Sequence, residues 1–172
     1  AVSWCLDTNR DLKLADALDH HVFQDAAGVL GRTTLELGDA YLACGKLLSN
    51  SSELHHILAN GRERNVSEGV TDATLAAVGE IAARASAAIE CARCAAPDGA
   101  LLEDETRQSA HLVAHAATRG RTLISGTLDH GTTRAELHRD WQALVEGHRR
   151  VWLGRNRIGG LADSLARFDR AG

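Results

Sequence analysis

Residues 71–92 read Thr-Asp-Ala-Thr-Leu-Ala-Ala-Val-Gly-Glu-Ile-Ala-Ala-Arg-Ala-Ser-Ala-Ala-Ile-Glu-Cys-Ala, and the spacing of their apolar members decides the fold. Leu75, Val78, Ala82, Ala85, Ile89 and Ala92 recur every three or four residues, which places them on one face of an α-helix. Half of them are alanine, so a neighbouring helix can approach closely. Pro97-Asp98-Gly99 interrupts the pattern, and a second stripe follows at Leu102, Thr106, Ala110, Val113, Ala117 and Ile124. Residues 71–126 therefore predict an antiparallel hairpin of two long helices.

The same period runs upstream. Leu12, Leu14, Ala15, Leu18, Val22 and Phe23 predict a first helix near residues 11–23, with Asn9 or Asp11 placed to cap it. Leu30, Thr34, Leu37 and Tyr41 predict a second, over about 27–45, closed by a cap at Gly45. A short third helix starts at Ser51 or Ser52 and ends at the Asn60-Gly61 turn signal, before a polar loop at 61–70. Downstream of a connector at 126–131, Leu137, Trp141, Leu144, Val145, His148 and Trp152 predict an amphipathic helix of about five turns. That helix is expected to be the central packing element and to stop at Gly159-Gly160; Leu161, Leu165 and Phe168 then line a short terminal helix. No period-two alternation and no fixed repeat occurs. The expected architecture is a single all-α domain over 1–172, an antiparallel bundle of about six to seven helices, two or three of them long and central.

Composition agrees. Of the 172 residues, 44% are apolar but only 3% aromatic, and proline occurs once, so alanine and leucine must supply the buried surface. A net charge of -4 argues against disorder and against a dedicated nucleic-acid binder. Residues 134–172 carry eight arginines against five acids, read as solvated or paired along helix faces. No apolar run approaches the ~20 residues that cross a bilayer. The chain begins at alanine and contains no methionine, so it is expected to be a fragment of a longer protein.

Residue types that carry chemistry are present, but their spacing is unhelpful. Cys91 and Cys94 are three apart and are expected late in a long helix, sharing a face; no second such pair completes a zinc set, and buried or half-buried thiols are the expectation. His20-His21 and His55-His56 are adjacent, so each pair splays by roughly 100° on a helix and cannot chelate from one face. His111 and His115 share a face without the intervening glutamate of a metalloprotease helix, and are expected to be an incidental surface pair. Glu103-Asp104-Glu105 suits a helix N-terminus, where carboxylates favour the dipole. Ser125-Gly126 and Ser3-Trp4 lack the strand-turn-helix setting that activates a serine, and no glycine-rich phosphate loop follows a strand. No metal and no cofactor is expected.

Four stretches together resemble a known family. Ser3-Trp4-Cys5-Leu6-Asp7-Thr8-Asn9, His21-Val22-Phe23, Leu37-Gly38-Asp39-Ala40-Tyr41 and residues 152–161, Trp-Leu-Gly-Arg-Asn-Arg-Ile-Gly-Gly-Leu, are similar to the helical region that follows the catalytic barrel in bacterial β-N-acetylhexosaminidases of glycoside hydrolase family 20. The resemblance implies an upstream (β/α)8 barrel binding an N-acetylhexosamine-terminated glycan. There a glutamate would act as general acid and an adjacent aspartate would orient the substrate acetamido group, the internal nucleophile. Asp104-Glu105, the one Asp-Glu dipeptide, falls inside the predicted hairpin with no strand leading into it, so the catalytic role does not transfer to it. The chain becomes the C-terminal part of the longer protein, residues 1–10 the exit from the barrel, and 152–161 the segment that packs back toward it. Trp152, Arg155, Asn156 and Arg157 are then candidates for interdomain or sugar-proximal contacts. The plainer alternative leaves Arg155 and Arg157 in the last helical turn, attracted by its dipole and free carbonyls.

The expected function is a non-catalytic accessory domain of a β-N-acetylhexosaminidase-like enzyme, stabilising the upstream barrel or mediating homodimerisation. An independent helical module that binds a protein in an interhelical groove is the alternative. A small metal- or thiol-dependent enzyme using Cys91, Cys94, His111 and His115 ranks third.

Overall fold

The computed structural model describes residues 11–59 and 65–169. Among them are seven α-helices and no strand: α1 (Leu14–Leu18), α2 (Leu30–Asp39), α3 (Glu53–Ala59), α4 (Asp72–Cys91), α5 (Gly99–Ser125), α6 (Gly131–Arg155) and α7 (Leu161–Asp169). The bundle is all-α, and α4 and α5 form its antiparallel hairpin. The readings placed on residues 1–10 and on Asn60-Gly61 lie outside the described residues.

The stripe on α4 folds as its spacing demands. Leu75, Val78, Ala82, Ala85 and Ile89 are all buried, and full burial of a side chain the size of Leu75 contributes roughly 2 kcal/mol. Thr71 caps α4 through a reciprocal pair: the Thr74 amide donates to its hydroxyl at 3.2 Å, and its own amide donates to the Thr74 hydroxyl at 2.9 Å. Facing residues Ala110, Ala116 and Ala117 on α5 are buried too, so the two helices meet through methyl groups. α2 and α3 close the sides of this hairpin, and α6 covers the remaining face of α5.

Several boundaries differ from expectation for physical reasons. The first helix passes at Asp19–Phe23 into a π-helical turn, ended by Gln24 in the left-handed conformation at φ 48°. The second gives way after Asp39 to a tight 3₁₀ turn, Ala40–Cys44, before Gly45. α6 begins at Gly131 and runs 25 residues, because its polar first turns extend the helix beyond its apolar stripe. It is not the central element: only Trp141, Leu144 and Gly147 are buried along it. α5 holds the centre, touching α2, α3, α4 and α6. α6 also ends before the double glycine, since Asn156 is extended and Gly159-Gly160 belong to a 3₁₀ turn.

Buried carboxylates tie the irregular segments together. Asp25 accepts four backbone N–H groups, from Ala27 (3.0 Å), Val29 (2.9 Å), Leu30 (3.1 Å) and Arg93 (2.7 Å). It thereby serves the start of α2 and the α4–α5 turn at once. Asp19 accepts the Gly31 amide at 2.6 Å, and a side chain at Gly31 would collide with the Ala15 carbonyl, so the two helices cross only because position 31 is glycine. Glu53, 1% exposed, takes the amide and hydroxyl of Ser67 at 2.9 and 2.7 Å, anchoring the approach to α4.

Burial works to raise the Asp25 pKa, but its backbone N–H bonds outweigh that and hold it below the ordinary 3.8. Its ionised form therefore adds stability above about pH 4, the ordinary carboxylate value, and that stability is lost as acid titrates the folded state. Asp25→Ala is expected to cost ~3 kcal/mol, because buried amides such as that of Leu30 lose their acceptor; a fall in the urea midpoint at neutral pH measures it.

Candidate functional site

The densest arrangement of polar and aromatic chemistry lies where α5, α6 and α7 meet. Trp141, His148 and Trp152 sit seven and four residues apart on α6 and share its inner side. Phe168 of α7 packs between two of them, its ring centroid 5.3 Å from Trp141 and 4.7 Å from His148. His115 of α5 extends the row at 5.2 Å from Trp141, and Trp152 continues it at 5.9 Å from His148. His148 Nε2 meets the Ser164 hydroxyl at 2.8 Å, so one imidazole both stacks and hydrogen-bonds α7 onto α6.

His115 is not a surface residue, contrary to expectation, and does not pair with His111. Its side chain is 2% exposed, while His111 faces solvent. Its Nδ1 hydrogen-bonds the Asp140 carboxylate. Burial lowers its pKa below 6.5, outweighing the hydrogen bond and charge of Asp140, which raise it; Arg119 works with burial. The pair is accordingly a neutral imidazole donating Nδ1–H to a carboxylate. An Asp-bound histidine is a familiar acid–base couple. Here the ring lies under Trp141 with its edges sealed, and what it does is fix α6 to α5.

Gln108 provides a second tie between these helices. Its Nε2–H donates to the Leu144 carbonyl at 2.8 Å, and a Cβ at position 147 would strike its Oε1, so Gly147 opens the space that the amide fills.

The four residues singled out in the closing segment separate into different roles. Arg155 clamps two carboxylates at the head of α5: Nε and Nη2 bond Glu105 at 2.8 and 2.9 Å, and Nη1 bonds Asp98, which precedes the helix. These partners raise its pKa and lower that of Asp98. The clamp, rather than dipole attraction alone, occupies this cation, and it extends through Arg150–Asp104 (3.2 Å) and Arg107–Asp104 (2.8 Å). Asp104 and Glu105 thus pair with arginines from α5 and α6, while Glu103 accepts the Cys94 amide at 3.4 Å; contrary to expectation the three acids lie beyond the first turn of α5, which starts at Gly99 and holds no acid there. Trp152 is half-buried, and its indole N–H donates to the Arg157 carbonyl at 3.3 Å. Gly160 packs against its ring. Arg157 lies beyond the helix end rather than in its last turn, and with Asn156 it is exposed. The most exposed large apolar side chain among the described residues is their neighbour Ile158, at 76%, and Leu153 is 47% exposed nearby.

The cysteines do not share a helical face either. Cys91 is the last residue of α4 and exposed; Cys94 stands in the extended turn that follows, half-buried, its thiol directed to the Phe23 carbonyl. Burial raises the Cys94 pKa, and burial together with the Glu53 carboxylate pushes buried Cys44 up to about 11, so both are protonated thiols at neutral pH. Among the described residues no three His, Cys, Asp or Glu side chains converge in a metal-ligand arrangement, and no helix is long and apolar enough to cross a membrane. Comparison with protein-family models, with curated proteins and with solved structures found no match to this chain.

Sequence reasoning passed over His148, Ser164, Phe168 and Asp140 as functional partners. The helical period flagged His148 and Phe168 as core-facing, but nothing local to Asp140 points to a histidine 25 residues away.

Burial also lowers the His148 pKa. Both imidazoles are neutral when folded and take protons near pH 6.5 when unfolded, so stability is full above that value and falls as pH drops toward the lower folded pKa values. Asp140→Asn is expected to cost ~1 kcal/mol at pH 7.5 and to steepen the loss between pH 7 and 5, measured by urea titration at each pH. Arg155→Met is expected to speed amide exchange in the first turn of α5 while leaving that pH profile unchanged.

Proposed function

We propose that this chain is a non-catalytic helical accessory domain that docks onto a catalytic unit through the corner between α6 and α7. The observation that carries the reading is Ile158, 76% exposed on a corner held at Arg155, at the Arg157 carbonyl and at Gly160. Arg155 fixes the end of α6 to Asp98 and Glu105, Trp152 bonds the Arg157 carbonyl, and Gly160 closes against the same indole. A corner braced in this way presents Ile158 and Leu153 at its apex beside two exposed polar residues, Asn156 and Arg157. An apolar centre with a polar rim is the pattern of a small docking surface. The resemblance of residues 152–161 to the region following a β-N-acetylhexosaminidase barrel supplies the class of catalytic unit, and the corner supplies the face it would meet. Arg155, spent on α5, is a positioning residue here; Ile158 and Arg157 are the contact residues.

The side chains best suited to catalysis support the non-catalytic part. His115 is sealed beneath Trp141, Glu53 is taken up by Ser67, and the Cys44 and Cys94 thiols are protonated.

The test compares the 172-residue chain with the product of its whole reading frame. The short chain is expected to release no chromophore from an aryl β-N-acetylglucosaminide. In the longer protein, amide exchange over 153–160 is expected to slow by about tenfold or more. Ile158→Glu should abolish that protection while changing the stability of the short chain by less than ~0.5 kcal/mol. Equal exchange in the two proteins, or hydrolysis by the short one, overturns the proposal.

A further inference from the structure

The last helix rests on α6 and on the 3₁₀ turn, Ile158–Gly160, that leads into it. At nine residues α7 is too short to form alone, so whatever holds it to α6 decides whether it is helical at all. His148 stands in the middle of that contact. Its ring lies 4.7 Å from Phe168 and 5.9 Å from Trp152, and its Nε2 meets the Ser164 hydroxyl at 2.8 Å. α6 does not depend on α7 in return. Gln108 bonds Leu144, His115 bonds Asp140 and Glu105 bonds Arg155, each of them tying α6 to α5.

A proton therefore has different consequences at the two buried imidazoles. At His115 the Asp140 carboxylate stands against Nδ1 and answers a positive charge. At His148 the facing group is a hydroxyl, and the charged side chains around it are engaged elsewhere or exposed. On α6, Glu146 pairs with Arg149; on α5, Asp104 pairs with Arg107 and with Arg150 of α6; on α7, Asp163 and Arg167 face solvent. Burial alone acts on the His148 titration, and it acts downward. A His148 released into water protonates near pH 6.5, its ordinary value, whereas the docked ring does so only at lower pH. Below about 6.5 each pH unit thus favours the released helix by up to tenfold, until the docked ring titrates too.

We infer that α7 is a proton-released latch: mild acid detaches it from α6 through His148 while α4, α5 and α6 stay folded, uncovering the side of α6 that carries Trp141. Trp141 is 8% exposed with the latch closed, and Phe168 is one of the rings that cover it. The inference does not rest on what meets the corner at Ile158.

The experiment follows amide exchange in the 172-residue chain at pH 7.5 and 5.5, corrected for the chemical exchange rate at each pH. α7 is expected to exchange at least about tenfold faster than α4 at both values, which makes its opening local, and its protection is expected to fall by about threefold or more with acid. His148→Phe keeps a ring against Phe168 and carries no proton, so the fall should vanish. Asp140→Asn, which disturbs only the other imidazole, should leave it in place. A second measurement reads the same linkage from the histidine: the His148 ring titrates below 6.5 by NMR in the native chain, and Phe168→Ala, which frees α7, should raise it toward that value. Exchange of α7 at the rate of α4, protection that acid does not lower, or a fall that survives His148→Phe would each overturn the inference. Should His148→Phe lose α7 at both pH values, the titration decides, and a His148 pKa indifferent to Phe168→Ala overturns it.

Discussion

The carboxylate of Asp25 joins chain segments that are nearly 70 residues apart. Its two oxygens hold the amides that open α2 and the Arg93 amide in the α4–α5 turn. Around it the backbone is laced further: Ala26 N–H donates to the Arg93 carbonyl at 3.1 Å, and Ala95 N–H to the Gln24 carbonyl at 3.1 Å. The start of α2 and the head of the hairpin both present backbone donors that their own helices cannot use. A buried anion that accepts four of them answers both accounting problems at one point. Through this one carboxylate the start of α2 is seated against the hairpin of α4 and α5.

Packing elsewhere follows from the scarcity of large side chains. With alanines facing one another across α4 and α5, little area is buried per residue, and the hairpin compensates through length: 20 residues against 27. Three of the five Phe, Tyr and Trp rings among the described residues stand at the α5–α6–α7 junction. Trp141, Phe168 and His148 pack together there, and α7, only nine residues long, is retained by them and by Ser164. A helix so short has no stability of its own in water.

How much of this could be read beforehand depends on the range of the interaction. Leu75 through Ile89 declared both helix and buried face, because the period is a local property of the chain. Gly45 ended its helix segment as expected for the same reason. The π turn at Asp19–Phe23 is not legible, because the apolar spacing of Leu18, Val22 and Phe23 reads as ordinary helix and carries no mark of the extra residue in an i→i−5 turn. The full length of α6, 25 residues against an expected five turns or so, is not legible because its first turns are polar, and a period in apolar residues carries no signal there. His115 was read as exposed from its spacing to His111, yet Ala110, Ala116 and Ala117 around it mark the buried side of α5. Arg155 was legible as a helix-end cation but not as a clamp, because Asp98 and Glu105 lie some fifty residues away in sequence.

The arginine and the isoleucine of the closing segment therefore exchange the importance that sequence alone assigns them. A guanidinium invites a functional reading, since it can seize a carboxylate, phosphate or sugar from outside. Here both faces of its fork are taken by α5, with Leu101 packed against Gly154 alongside, so an incoming ligand would first have to break a bidentate pair. An exposed isoleucine commonly draws no attention, because single apolar side chains are scattered over every protein surface. Ile158 differs in what surrounds it. The clamp at Arg155, the indole bond to the Arg157 carbonyl and the contact at Gly160 restrict residues on both sides of it. Bracing a turn so fully around an apolar tip lowers the entropy lost when that tip is covered, which is the condition under which a small surface can serve as a joint.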